Sequence, residues 1–362
     1  MKTETKARKK RPTKKRLERP KKQYTLDQCA LYKIRGLGTL CAVLGWRGGA
    51  ANLERLADRP GNYHVWDRKG REIQQAAKEL RAIHARIATL LRRVRPSDFR
   101  HSGVRKRSFL TNAQQHIGHT PILKADIRQF YPSTVFRMVR KFFRDEMLCA
   151  DDVAIILAKL CCYRKNLGDP HTGHLPTGGV HSEVLAFYCH RRLFEKLHRR
   201  AKARGGNMSV YVDDITLSMP CASLTDLEWT RRLLAKAGLE LHSGKSWIYP
   251  KRAYKRVTGV GIRNGKMVAT GPQHRKAKAL DRALRASPDA EKPHAARRLL
   301  GVLDHIAHVD DRFRLRAVGT RGRLLSLVNT NARARRPRPY YPGVGHNPIR
   351  WPPKSASSLG AG

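Results

Sequence analysis

The tetrad Tyr211-Val212-Asp213-Asp214 sets two adjacent carboxylates inside an apolar run from Met208 to Met219, and few folds tolerate that arrangement. Residues alternate in polarity on either side of the acidic pair, the pattern of two short strands joined at a tight turn. The two anions repel and their apolar flanks strip them of water, so such a tip is costly unless a cation offsets it. The pattern predicts a divalent-metal site at a hairpin tip. An exposed Asp-Asp turn that merely links two strands is the plainer alternative.

Upstream, a strand-like run beginning at Pro121 ends on Asp126, and Ser133 is expected to cap a helix that carries Phe136, Val139 and Phe143 on one face. Phosphoryl transfer by the two-metal route needs a compact carboxylate cluster clamping two cations about 4 Å apart. Asp126, Asp213 and Asp214 are the expected metal ligands. Hard oxygen donors completed by substrate phosphates favour two Mg2+ ions.

These two segments resemble motifs A and C of the reverse transcriptases. His174-Leu175-Pro176-Thr177-Gly178-Gly179-Val180-His181-Ser182 is similar to motif B, and the stretch from Leu239 to Lys245 is similar to motif D, so four motifs stand in family order. Two further segments resemble the bacterial retron type: Asn112-Ala113-Gln114-Gln115-His116 fits its Asn-Ala-x-x-His signature, and Val257-Thr258-Gly259 fits its Val-Thr-Gly triplet. The stretch from Tyr63 to Ile73 is similar to its fingers hairpin. Glu183 departs from the family, which usually has proline after the motif B serine, and the proline expected shortly after Ile73 is missing.

The resemblance implies an α+β right-hand polymerase. It would comprise fingers and N-terminal helices at 24–120, a split-βαβ palm at 121–262 and a helical thumb at 263–328. An RNA-directed DNA polymerase using deoxynucleotides follows, with Asp126, Asp213 and Asp214 holding metal, the Ile127 carbonyl as a further ligand, and Lys245 protonating pyrophosphate. Tyr131 is placed to exclude a ribose 2′-hydroxyl; of Phe130 and Tyr131, one is expected to be core and the other the gate. Arg71, with Arg68 or Lys69, would contact the triphosphate, and Thr177 and Gly178 would shape the floor beneath base and sugar. Asn112 and His116 either read RNA or brace the approach to motif A. Val257, Thr258 and Gly259 are expected on the strand entering the thumb, where a small residue admits a nucleic-acid backbone, a bulge being the alternative.

The implied partners are a structured noncoding RNA, serving as template and primer, and its cDNA. Priming from a 2′-hydroxyl would give branched RNA joined to single-stranded DNA, in an antiphage role with an effector protein encoded elsewhere. An intron-like or other defence-associated reverse transcriptase stands second, since no maturase or endonuclease segment is read after the thumb. A noncatalytic RNA-binding scaffold is the alternative from another class.

Composition agrees: 75 Lys and Arg against 28 Asp and Glu give a formal net charge of +47, which calls for a polyanionic partner. Residues 1–23 read as a disordered basic arm, and 329–362 as a basic tail whose Tyr340, Tyr341 and Trp351 suit either base stacking or packing on the thumb. No apolar run is long enough for a membrane span and no secretory core opens the chain, so a cytoplasmic protein is expected. Seven cysteines without C-x-x-C spacing argue for reduced thiols and against zinc. Apolar residues recur at helical spacing from Ile73 to Val94, predicting one amphipathic helix.

Overall fold

The computed structural model describes residues 23–310 apart from 119 and 170, and six positions between 313 and 324. The basic arm, but for its last residue, and the C-terminal tail lie outside the described residues. The first part of the chain folds as α1 (Leu37–Leu44), α2 (Ala50–Ala57), the hairpin β1 (Tyr63–Asp67) and β2 (Glu72–Ala76), α3 (Lys78–Leu91) and the short α4 (Phe109–Gln114). Ile73 and Ala77 therefore do not open the amphipathic helix. Pairing of Trp66 with Ile73 and of Tyr63 with Ala76 holds that stretch extended, and the helical stripe starts only after it.

β3 (Ile122–Asp126) follows, then α5 (Phe130–Ser133), α6 (Phe136–Lys141), α7 (Asp151–Cys161), α8 (Ser182–Cys189) and α9 (Arg191–Ala203). Ser133 ends α5 and does not cap the next helix, whose N-cap is Val135; the expected face of Phe136, Val139 and Phe143 is nonetheless buried. β4 (Asn207–Tyr211) and β5 (Asp214–Ser218) form the acidic hairpin, with α10 (Leu224–Lys236) and β6 (Trp247–Tyr249) after it. The sheet order β4-β5-β3-β6, with every pair antiparallel, is a split βαβ plan. A three-stranded sheet of β7 (Lys255–Val257), β8 (Val260–Arg263) and β9 (Lys266–Val268) leads into α11 (Gly271–Ala286) and α12 (Lys292–Val309), which pack on each other. The fold is thus mixed helix and sheet.

The four-stranded sheet has two unlike faces because side chains alternate along each strand. Leu123, Ala125, Val210, Ile215 and Leu217 point one way into the main hydrophobic core with Phe130, Phe136 and Phe194. Residues directly opposite on antiparallel neighbours share a face, so the register lays the other face out in rows. Tyr211, Asp214 and Asp126 make one row; Ser209, Thr216, Lys124 and Trp247 the next; Asn207, Ser218, Ile122 and Tyr249 the third. Part of this polar face is covered by α4 and by the β7–β9 sheet, whose Val257, Val260 and Ile262 bury Ile122 and Ala113. Among the described residues no helix is long and apolar enough to cross a membrane.

Candidate active site

The acidic pair sits where the hairpin pattern predicted. Tyr211 pairs with Asp214, leaving Val212 and Asp213 as the two-residue turn. Val212 has φ +61°, a conformation β-branched residues rarely adopt. Surrounding contacts hold it there: the Val212 N–H donates to Ser102 Oγ at 3.0 Å, and the His101 N–H donates to the Val210 carbonyl at 2.9 Å. Asp126, last residue of β3, lies opposite Asp214, and the Ile127 N–H donates to the Asp213 carbonyl at 3.0 Å. Strand end and hairpin tip are thereby tied backbone to backbone.

The motif D segment closes the other side. The His242 N–H donates to the Asp126 carbonyl at 2.8 Å, the Asp126 N–H donates to Ser246 Oγ at 3.1 Å, and Lys245 Nζ stands 3.7 Å from Asp126 Oδ1. Lys245 is about half exposed, free to reach a bound anion. Burial first, and then the Asp126 and Asp214 charges, push the Asp213 carboxyl up to about 6, with Lys245 relieving part of the rise. An anion so destabilised, among oxygen donors only, fits a hard divalent cation.

The three carboxylates do not act alike. The Asp214 carboxylate is taken by the ammonium of Lys124, and among the described residues no group of three or more His, Cys, Asp or Glu side chains is arranged to hold a metal ion. Of the expected ligands Asp126, Asp213 and Asp214, Asp214 therefore already has a counter-charge within the fold. Lys124 was missed from the sequence, although its place two residues before Asp126 on a strand puts both on one face.

Phe130 is buried against His190 and Phe194, while Tyr131 is only partly buried; the alternative between them resolves with Phe130 as core. Burial raises the Tyr131 hydroxyl above its ordinary range, and Glu183 and Asp213 add to the shift, so the phenol stays neutral beside the carboxylates. Glu183 itself is ion-paired with the buried Arg100 at 3.5 Å, which gives the non-proline residue of motif B a structural role.

Lys69 and Gly70, with φ +57° and +72°, form the turn between β1 and β2, while Arg68 and Arg71 exchange backbone hydrogen bonds across it. Arg68, Lys69 and Arg71 are exposed. The hairpin reaches motif B through Gln74, another residue not foreseen: its N–H donates to the Thr177 carbonyl at 2.9 Å and its Oε1 accepts from the Thr177 N–H at 2.7 Å. A Cβ at Gly178, whose φ is +115°, would stand 3.2 Å from Ile73 Cγ2 and 3.3 Å from the Gln74 carbonyl, so glycine permits this docking.

The retron-like segments meet each other. Asn112 Nδ2 donates to Thr258 Oγ1 at 3.4 Å, and the Thr258 hydroxyl donates to the Phe109 carbonyl at 2.9 Å. Val257 ends β7 on a strand as expected, while Thr258 and Gly259, with φ +45° and +82°, form the two-residue turn to β8. A Cβ on Gly259 would meet no protein atom, and the left-handed backbone there favours glycine. Val257 is fully buried. His116 is buried too, hydrogen-bonded to Ser209 Oγ at 2.7 Å and Ser218 Oγ at 2.9 Å, and burial lowers it to about 3 so that it stays neutral. Asn112, His116 and Val257 thus brace the polar face of the sheet, the second of the two roles expected for Asn112 and His116.

No family model matches the chain. It is 27% identical over 255 residues to the retron Ec86 reverse transcriptase of Escherichia coli, covering 70% of this chain and 76% of that protein. With the retron Mx65 reverse transcriptase of Myxococcus xanthus it shares 28% identity over 207 residues, 53% of this chain and about half (48%) of the relative's length. A telomerase structure from Candida albicans superposes on 61% of this chain and 42% of its own at 12% identity, with a TM-score of 0.37, too loose to bear on function. On its retron relatives and on its carboxylate hairpin, the chain is similar to the retron-type reverse transcriptases, and that likeness supports an RNA-directed DNA polymerase.

Proposed function

We propose that the protein binds its own structured noncoding RNA and copies part of it into DNA, as in retron synthesis of branched RNA and single-stranded DNA. On this reading the β1–β2 hairpin and N-terminal helices are fingers, the four-stranded sheet and its helices the palm, and α11 with α12 the thumb. The observation that carries it is the Asp213 carboxylate, partly buried at a hairpin tip beside Asp126 and pushed up to about 6 by burial and by the Asp126 and Asp214 charges.

Asp126 and Asp213 would hold two Mg2+ ions, with the Ile127 carbonyl as a further oxygen and Asp214 held in reserve by Lys124. Once bound, the ions supply Lewis-acid activation of the primer hydroxyl and neutralisation of the leaving pyrophosphate. Lys245 protonates the pyrophosphate, its ammonium already within 3.7 Å of Asp126. Tyr131 bars a ribose 2′-hydroxyl, the exposed Arg68, Lys69 and Arg71 grip the triphosphate, and Thr177 with Gly178 floors the nucleotide. The formal charge of +47 supports an extended polyanionic partner and steep salt dependence. An antiphage role with a separate effector follows from the retron relationship alone.

The test is Asp126→Asn and Asp213→Asn on a primed RNA template, with copurifying nucleic acid sequenced from cells. Loss of extension with RNA affinity retained, and branched RNA joined to DNA in the wild-type preparation, is the expected result. Undiminished extension by either variant would remove the two-metal assignment.

A further inference from the structure

Of the three large aromatics on the polar face of the sheet, Tyr211, Trp247 and Tyr249, none is used by the reaction steps above, and Trp247 is the exposed one. Trp247 pairs with Lys124 in the row next to Asp126 and Asp214, yet its indole is 39% exposed in a region where the neighbouring Thr216 and Ser209 are buried. Rows two residues apart along a strand are about 7 Å apart, roughly the reach of one nucleotide along a backbone. Trp247, the first residue of the edge strand β6, follows Lys245 by two residues, so it flanks the Asp126 and Lys245 pair on the side facing the β7–β9 sheet. Tyr249, in the third row, meets it edge-on with ring centroids 5.7 Å apart and interplanar angle 81°. That contact supports the indole on one side while the residue stays 39% exposed.

Lys124, beside Trp247, is spent on Asp214, which leaves the indole as the free recognition group in its row. An aromatic plane held rigidly one step from a phosphoryl-transfer site suits the sugar and base of a nucleotide, which stack with little regard to sequence. We propose that Trp247 is the platform for the terminal nucleotide of the primer strand and aims its 3′ end at Asp126. This rests on the polymerase reading of the Asp126 and Asp213 site and adds to it a primer-positioning residue.

Trp247→Ala, Trp247→Leu and Trp247→Phe are compared on a short primer annealed to RNA. The Ala and Leu variants should bind the primed template or use it (KM for primer ends) roughly 5- to 100-fold more weakly, with KM for deoxynucleotide little changed, and Phe should restore most of the loss. Independently of activity, the fluorescence of wild type minus that of Trp247→Phe should be quenched by primed RNA and not by the same RNA without primer. Trp229, which lies under Arg200 with the guanidinium 4.2 Å from the ring centroid, supplies a control variant, Trp229→Phe, that keeps the quench. Unchanged primer use by the Ala variant overturns the proposal, as does equal quenching by unprimed RNA, which would assign the indole to the template. Quenching by primer in a wild-type protein that extends no primer would uphold the contact and overturn the polymerase reading instead.

Discussion

Lys124 and Asp214 form an ion pair across β3 and β5, with the lysine side chain only 9% exposed and the aspartate 17%. The pair sits one row behind and beside Asp126, so one of the three acidic residues is neutral in sum before any ligand arrives. Burial raises Asp214 and Lys124 draws it back. Replacing Lys124 with Met leaves a buried carboxylate unpaired and should cost about 3 kcal/mol in urea denaturation. The double change Lys124→Met with Asp214→Asn should recover much of that loss; strictly additive losses would show that the two side chains are not coupled.

Asp213 makes stability depend on pH in the sense opposite to a salt-bridged carboxylate. Its folded value of about 6 lies above its ordinary range, so the folded chain holds the proton more tightly than the unfolded one. The contribution is fully present below the ordinary carboxylate range and is lost as pH rises through about 6. On the proposed metal-binding role, a divalent cation would take the proton's place above that point. Mg2+ should therefore raise Tm at pH 7.5 and scarcely at pH 5, and Asp213→Asn should abolish the difference; an equal gain at both pH values would contradict the assignment.

Tyr131→Val should admit ribonucleotides, since it removes the bulk facing the sugar while Phe130 keeps the helix α5 anchored in the core. Single-nucleotide incorporation with deoxy- and ribonucleotide triphosphates measures it, and unchanged discrimination would place the gate elsewhere.

His116→Ala leaves the Ser209 and Ser218 hydroxyls buried without their shared partner and should cost about 2 kcal/mol or more. Primer extension and RNA affinity should fall together, in step with the denaturation midpoint. A variant of normal stability that lost only affinity for its RNA would return His116 to the role of RNA reader.

Much of the site was legible because strand alternation is a strict local rule. The hairpin tip and the facing of Asp126 toward it follow from period-2 patterning around apolar strands, and β4, β5 and β3 obey it. What escaped depended on pairing between distant segments. Ile73 fits a helical stripe and a strand equally well until β1 claims it through Trp66. Asn112 and Thr258 are 146 residues apart, and nothing local to either announces that they meet. The left-handed backbone at Gly259 belongs to the turn between β7 and β8, a pairing that the triplet alone does not reveal. The Lys124 pairing was within reach of the same alternation that located Asp126, but a lysine in a strand is easily taken for a surface charge.

Gln74 gives the hairpin a mechanical property. Grasped at both its backbone and its side chain by Thr177, the strand that follows Arg71 cannot swing without pulling on the loop at Thr177. If the tip cations grip a triphosphate as proposed, they and the loop at Thr177 and Gly178 would behave as two jaws on one linkage. Amide exchange at Gln74 and Thr177 should slow together when a deoxynucleotide binds, and Gln74→Ala should let the two respond separately.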